Sequence, residues 1–291
     1  MSNVRIMTDS VAGIPENLAE EYQIKVIPAA NIIYDGTTYI DGVTLSVPEA
    51  YELIKKDPDK FTTSALTPGY ILDEYRELSK KSSEIVHITM PLALSATFKT
   101  ASLAAEMLQK ESPQTSIRVI DGKTAASAQG LVVLAAARAA AQGKSLDEVA
   151  DIVGQVRRKT GGIMMLDTMR YVYRTGRMSK MAARIVSLFK IKPINRMTDE
   201  GGLEFVDKVR KREDGYKKLI KLIKQEAGTD SLHFMVMHAD APEIAEEFIK
   251  LLRQEFNCLR VIVSEYSPIM GYAVGRGAIF VGFHPELHLS K

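Results

Sequence analysis

Short apolar runs alternate with stretches of helical period through the first half of this chain, and that alternation restricts it to one kind of architecture. Apolar runs at 4–7, 24–29, 84–89 and 116–120 are of strand length, and helical stretches at 16–22, 47–55, 70–80, 97–109 and 125–141 stand between or after them. Strands joined by helices of ten or more residues predict a parallel, doubly wound sheet. Local punctuation agrees. Asp35-Gly36 suits a type I′ turn in a small hairpin at 32–40. Thr67 is placed to cap a helix with Pro68 in its first position, and Ser145-Leu146-Asp147-Glu148 is a capping box that opens a helix running to about 158. The small apolar stretch 130–141 contains Arg138 and is followed by Gly143. It is too short to span a bilayer and predicts a buried helix.

After Gly161-Gly162 the texture changes. A strand at 163–166, helical segments to Tyr173 and at 182–189, and a polar hairpin around Asp199-Glu200-Gly201-Gly202 come first. Two helix-then-strand pairs follow, 216–225 with 232–237 and 242–256 with 259–263, and Asp240 to Glu243 has the spacing of a second capping box. The expected class is α/β: a parallel-sheet domain over 1–162 and a smaller α+β domain over 163–277. Residues 278–291 close the chain with a strand that can return to the first domain, and the binding site is expected between the two.

Bulk properties remove several classes of function. The 38 basic and 36 acidic side chains leave a formal charge of +2, without the basic stripe that non-specific nucleic-acid binding requires. Cys258 is the only cysteine, so no internal disulfide can form and a reducing compartment is expected. No signal-peptide core and no run of 18 apolar residues is present, which predicts a cytoplasmic chain without an integral membrane segment.

Most candidate motifs have a plainer explanation. Gly122-Lys123-Thr124 ends like a phosphate loop, but the required earlier glycine falls at Ile117, inside a strand. Gly271, Gly275 and Gly277 precede the last strand rather than following one, so they are not a dinucleotide fingerprint. His233 and His238 are five apart in a strand and face opposite sides, and His284 and His288 lack the partners of a zinc site. Two hydroxyl clusters remain, Thr62-Thr63-Ser64 running into Thr67-Pro68, and Ser95-Ala96-Thr97. Each sits where a loop feeds a helix start, which offers free amides and hydroxyls to an anion and equally suits simple capping. The chain also carries 13 Met and no Trp, with Met164, Met165 and Met169 close together. Methionine fills irregular space and adapts to variable ligands, although an ordinary core is its commoner use. An anion seat beside an adaptable apolar interior suits an amphiphile with an acidic head. Ser95 also follows a strand and precedes a helix like a nucleophile elbow, but without flanking glycines. A serine-based lipid or ester hydrolase with Ser95 as nucleophile is therefore the alternative function, and it needs a base from elsewhere.

At these residues the chain resembles the DegV family of bacterial fatty-acid-binding proteins. The resemblance runs through Thr8-Asp9-Ser10, Thr63-Ser64 with Thr67-Pro68, Leu94-Ser95-Ala96-Thr97-Phe98, Asp121 with Ser127, Thr175-Gly176-Arg177, Lys192-Pro193-Ile194 and Gly271-Tyr272-Ala273-Val274-Gly275-Arg276-Gly277. It implies a long-chain fatty acid bound between two α/β domains, with Thr63 and Ser95 on its carboxylate and Ser64, Ala96, Thr97, Ala273 and Arg276 around them. It implies a non-enzymatic lipid carrier, similar to the subunit of bacterial fatty acid kinase that presents the carboxylate to a separate ATP-using kinase. The product there is an acyl phosphate, which can enter phospholipid synthesis, and neither cofactor nor metal is implied. Arg177, Arg210 and Arg276 are then candidates to meet the kinase or the nascent phosphate, since the guanidinium fork matches phosphate oxygens. Three positions depart from the family: Ala273 replaces a usual His, Arg276 a frequent Pro and Ala96 a common Gly. Arg276 is read as partial compensation for the missing His, or as a change in head-group preference.

Overall fold

The computed structural model describes residues 4–177, 191–228 and 231–286. The first part runs β1 (Val4–Asp9), α1 (Glu16–Glu21), β2 (Lys25–Ile27), β3 (Asn31–Tyr34), β4 (Thr37–Ile40), α2 (Val47–Lys56), β5 (Phe61–Ser64), α3 (Pro68–Ser79), β6 (Glu84–Thr89), α4 (Thr97–Glu111), β7 (Ser116–Asp121), α5 (Ala126–Ala141) and α6 (Leu146–Arg157). The second part runs β8 (Gly161–Met165), α7 (Arg170–Arg174), β9 (Lys192–Met197), β10 (Leu203–Val209), α8 (Arg212–Ala227), β11 (Leu232–His238), α9 (Pro242–Glu255), β12 (Cys258–Glu265), α10 (Pro268–Val274) and β13 (Ile279–Pro285). The helix expected at 182–189 lies outside the described residues.

The first sheet has the order β2-β1-β6-β7 with every pair parallel. Helices α3 and α4 cover one face through Ile71, Tyr75 and Ala104, and α5 and α6 cover the other through Leu131, Val132 and Val153. The doubly wound expectation therefore holds. β2 lies to one side of β1 and β6 to the other, so the winding reverses at the carboxyl ends of β1 and β6. In open α/β sheets that switch point is where a crevice forms. A separate antiparallel sheet, β4-β3-β5, stands nearby. Its hairpin turns on Asp35 (φ 50) and Gly36 (φ 83), both positive as a type I′ turn demands. The expected caps are present: the Thr67 hydroxyl accepts from Tyr70 N at 3.2 Å, and Ser145 and Glu148 close a capping box.

The second sheet is mixed and six-stranded, with the order β10-β9-β8-β13-β11-β12. The closing strand does not return to the first sheet. β13 sits at the centre of the second, antiparallel to both β8 and β11. Both of its faces are buried there. Ile279, Val281 and Phe283 pack into the core under α8 and α9, while Phe280 packs into the core shared with α5. A strand apolar on both sides belongs in the interior of a sheet. β8 spans the expected domain boundary at 162–163. Helix α9 also starts differently from expectation. Its N-cap is Ala241, with no side-chain cap, because Asp240 (φ 46) turns away to an ion pair.

Helix α5 lies between the two sheets, and 13 of its 16 residues are buried, which is why its sequence is apolar all round. A Cβ added at Gly130 would fall 2.5 Å from the Ala12 carbonyl oxygen, and one at Gly282 would fall 2.5 Å from Ala128 N. Glycine at both positions lets the turn after β1 and strand β13 approach the same helix. One continuous core results, holding Ile6 and Ile88 from the first sheet together with Met237 and Phe280 from the second. This fixes the switch point of the first sheet opposite the inner face of the second. No helix among the described residues is long and apolar enough to cross a membrane.

Candidate functional site

The loop that carries Ser95 is held by acids at strand ends. Asp9, the last residue of β1, is completely buried and accepts from Met90 N at 2.7 Å and from Gln129 Nε2 at 3.2 Å. Burial pushes its pKa up to about 6, although those hydrogen bonds oppose the shift. Asp121 accepts from Leu92 N at 3.2 Å. The Pro91 carbonyl accepts from Leu94 N at 2.9 Å and Ser95 N at 3.0 Å, which completes a tight turn. Ser95 Oγ then lies 2.7 Å from Thr97 Oγ1 and accepts from Thr97 N at 3.2 Å. The N-cap of α4 is Ala96, without a side-chain cap, so Ser95 takes up the first helical amide from one residue before the cap position.

Thr63 arrives from a different direction. It lies in β5 opposite Ile32 of β3, two residues after the buried Phe61. Phe61 stacks on Tyr272 of α10 with ring centroids 5.3 Å apart and 20° between planes. Asp41 accepts from Ile269 N at 2.9 Å and from the Ser10 hydroxyl. These contacts tie α10 to the small sheet and to the end of β1. Asp41 is also buried, and desolvation raises its pKa above the ordinary carboxylate value.

Between these elements lies a cavity of about 230 Å³. Thr63, Ser64, Ser95, Thr175 and Arg177 supply polar groups to its lining, while Val11, Met164, Met197, Leu203, Ile269, Met270 and Phe280 are among the apolar ones. Of the residues expected around a head group, Thr63, Ser64, Ser95, Ala96 and Ala273 all line this one space, and Thr97 stands behind Ser95. Arg177 lines it as well, exposed, with Nε donating to the Leu94 carbonyl at 3.4 Å. Arg276, expected beside the head group, does not line the cavity. Its Nη2 lies 2.6 Å from Asp240 Oδ2, in a turn where Gly275 (φ 77) and Gly277 (φ 79) redirect the backbone. Arg210 is exposed just beyond β10 and is likewise not among the lining residues. Asp9, Asp41 and the lining supplied by Ile269 and Met270 of α10 are not singled out by the sequence. A carboxylate ending a strand at the switch point was the available signal for Asp9.

The chemistry on offer is donation to an anion. Thr97 N already donates to Ser95 Oγ. If the Thr97 hydroxyl donates there too, the Ser95 O–H is free to donate outward. The Thr63 hydroxyl has no protein partner among the described residues, and Arg177 adds a cation at the same lining. Among the described residues the hydrogen-bond partners of the Ser95 hydroxyl are the hydroxyl and amide of Thr97, and no cluster of three metal-ligating side chains occurs.

Residues 3–286 match the family model described as "Uncharacterised protein, DegV family". A DegV domain-containing protein of Caldanaerobacter subterraneus subsp. tengcongensis is 32% identical over 292 residues, covering 98% of this chain and 100% of that one. The crystal structure of DegV from Bacillus subtilis, described as a fatty acid binding protein, superposes with a TM-score of 0.84 at 26% identity, over 98% of this chain and 100% of its own. A DegV family protein from Eubacterium eligens loaded with heptadecanoic acid superposes with a TM-score of 0.88 at 21% identity, over 97% and 100% of the two chains.

Proposed function

This chain belongs to the DegV family, and from that premise we propose that it binds a long-chain fatty acid in the cavity between its two larger sheets, with the carboxylate at Thr63 and Ser95. The observation that carries the reading is convergence. Two hydroxyls, one from strand β5 and one from the loop before α4, meet at one lining whose remainder is rich in Met, Ile, Leu and Phe. The ligand-loaded relative supports the same reading.

Magnitudes divide the labour. Each buried CH₂ of a tail contributes about 0.8 kcal/mol, so a long chain gains on the order of 10 kcal/mol gross before its ordering cost. A hydrogen bond to a charged oxygen adds roughly 1.5–3 kcal/mol. The apolar cavity therefore sets affinity, and the hydroxyls set which end of the ligand faces out. With Ala273 in the lining there is no imidazole at that position, and among the described residues Arg177 is a cation close to the Ser95 loop.

The second half of the proposal is that the chain acts as a cytoplasmic carrier and not as an enzyme. A separate ATP-dependent kinase takes the exposed carboxylate and forms an acyl phosphate for phospholipid synthesis. Denaturing mass spectrometry of the purified protein tests the binding half, with about one fatty acid expected per chain. Loaded protein mixed with host extract and ATP tests the carrier half, with hydroxylamine trapping the expected acyl phosphate. Release of no fatty acid, together with ester hydrolysis and fluorophosphonate labelling at Ser95, would instead establish the hydrolase.

A further inference from the structure

Asn195 in β9 is fully buried, and among the described residues neither its side-chain oxygen nor its side-chain nitrogen has a hydrogen-bond partner. Its place in the sheet gives that fact a direction. Asn195 pairs with Met164 of β8 on one side and with Phe205 of β10 on the other, and directly paired residues share a face. Met197, two residues along β9, is on the same face. Met164 and Met197 both line the cavity, as does Phe280, which pairs with Met164. Ile194 and Met165, on the opposite face, belong to the core under α8 and α9. The amide is therefore on the cavity side of the sheet, beside the two methionines that wall it.

A buried amide with no partner is costly and needs an explanation. Its paired neighbours on that face, Met164 and Phe205, and Met197 beside them, offer no N–H or O–H. A water needs two to four polar partners to be held in such a place. An oxygen attached to an acyl chain needs no separate immobilisation, because the chain delivers it. Met164 and Met197 are unbranched thioethers that re-pack easily, so they can open a path from the cavity to the amide.

Building on the fatty-acid reading of the cavity, we infer that Asn195 recognises an oxygenated acyl chain, a fatty acid carrying a hydroxyl or keto group along its length. The Asn195 amide nitrogen donates to that oxygen, and a hydroxyl can also donate to the amide oxygen. Plain chains still bind, through the same apolar walls.

Competition binding on the full-length, delipidated protein tests this, with octadecanoic acid against a positional series of monohydroxy-octadecanoic acids. One hydroxyl position should bind about tenfold or more tighter than its neighbours in the series. Asn195→Leu should abolish that preference while keeping or raising affinity for octadecanoic acid, a split that a merely structural role would not produce. A flat series alongside tight binding of octadecanoic acid overturns this inference alone, as does a preference that survives Asn195→Leu. If that variant does not fold, the wild-type series decides by itself. Failure of every acid to bind overturns the fatty-acid reading, and this one with it.

Discussion

Asp9 Oδ2 accepts the amide hydrogen of Met90 at 2.7 Å, so the residue that ends β1 sets the start of the loop that carries Ser95. The anchor is a carboxyl group shut away from solvent, and that burial is the main cause of its raised pKa. Its protonation is therefore coupled to folding.

The folded-state pKa of about 6 lies above the ordinary 3.8, so the folded protein binds a proton more tightly than the unfolded chain. The stability this contributes is present below about pH 4 and lost as pH rises through 6. Asp9→Asn removes the dependence. The stability of Asp9→Asn relative to wild type should rise by roughly 2–3 kcal/mol between pH 4 and pH 7 and level off above that. Denaturant titrations at half-unit pH steps would show it, and a pH-independent difference would refute the shift.

Thr63→Ala deletes one proposed donor with little structural cost, since that hydroxyl has no protein partner among the described residues. Fatty-acid Kd should rise on the order of tenfold or more, with Tm nearly unchanged. Ser95→Ala should weaken binding similarly and also lose about 1 kcal/mol of stability, because Ser95 Oγ accepts a hydrogen bond from Thr97 N. Calorimetric titration with a single acid, beside a thermal melt, separates the two effects. Wild-type affinity in both variants would rule out these hydroxyls as the head-group ligands.

Arg276→Ala should leave fatty-acid affinity within about twofold of wild type, because the guanidinium faces Asp240 outside the cavity. The half-exposed pair contributes at most about 1 kcal/mol to stability. A tenfold loss of affinity would mean that Arg276 reaches the head group in the loaded protein.

Gly282→Ala places a methyl against the backbone of α5, with Ala128 N 2.5 Å from the new Cβ. Neither partner is the free end of a side chain, so helix and strand must separate. The cost should be about 1–3 kcal/mol or more, seen as a lower urea midpoint with an unchanged slope. A neutral result would mean that the seam between the sheets has slack.

Much of this was legible in the sequence because it is written locally. Asp35-Gly36, Thr67-Pro68 and Ser145 with Glu148 each act within four residues, and each behaves as read. The parallel sheet followed from spacing. The position of β13 did not, since a strand apolar on both faces fits the middle of either sheet, and its place is set by long-range pairing with β8 and β11. Arg276 was misplaced beside the head group because its direction depends on two positive-φ glycines rather than on its distance from Ala273. Asp9 went unremarked as an anchor because an acid at a strand end ordinarily meets water, and here Gln129 and Met90 N take water's place.

Sharing one helix between two sheets makes the halves of the chain mutually dependent. A fragment ending at 162 would leave one flank of α5 bare, and the remainder would lose the surface that its sheet rests on. Dissecting the molecule between its two larger sheets would yield two sticky pieces rather than two modules, so its parts are better probed by point substitution within the intact chain.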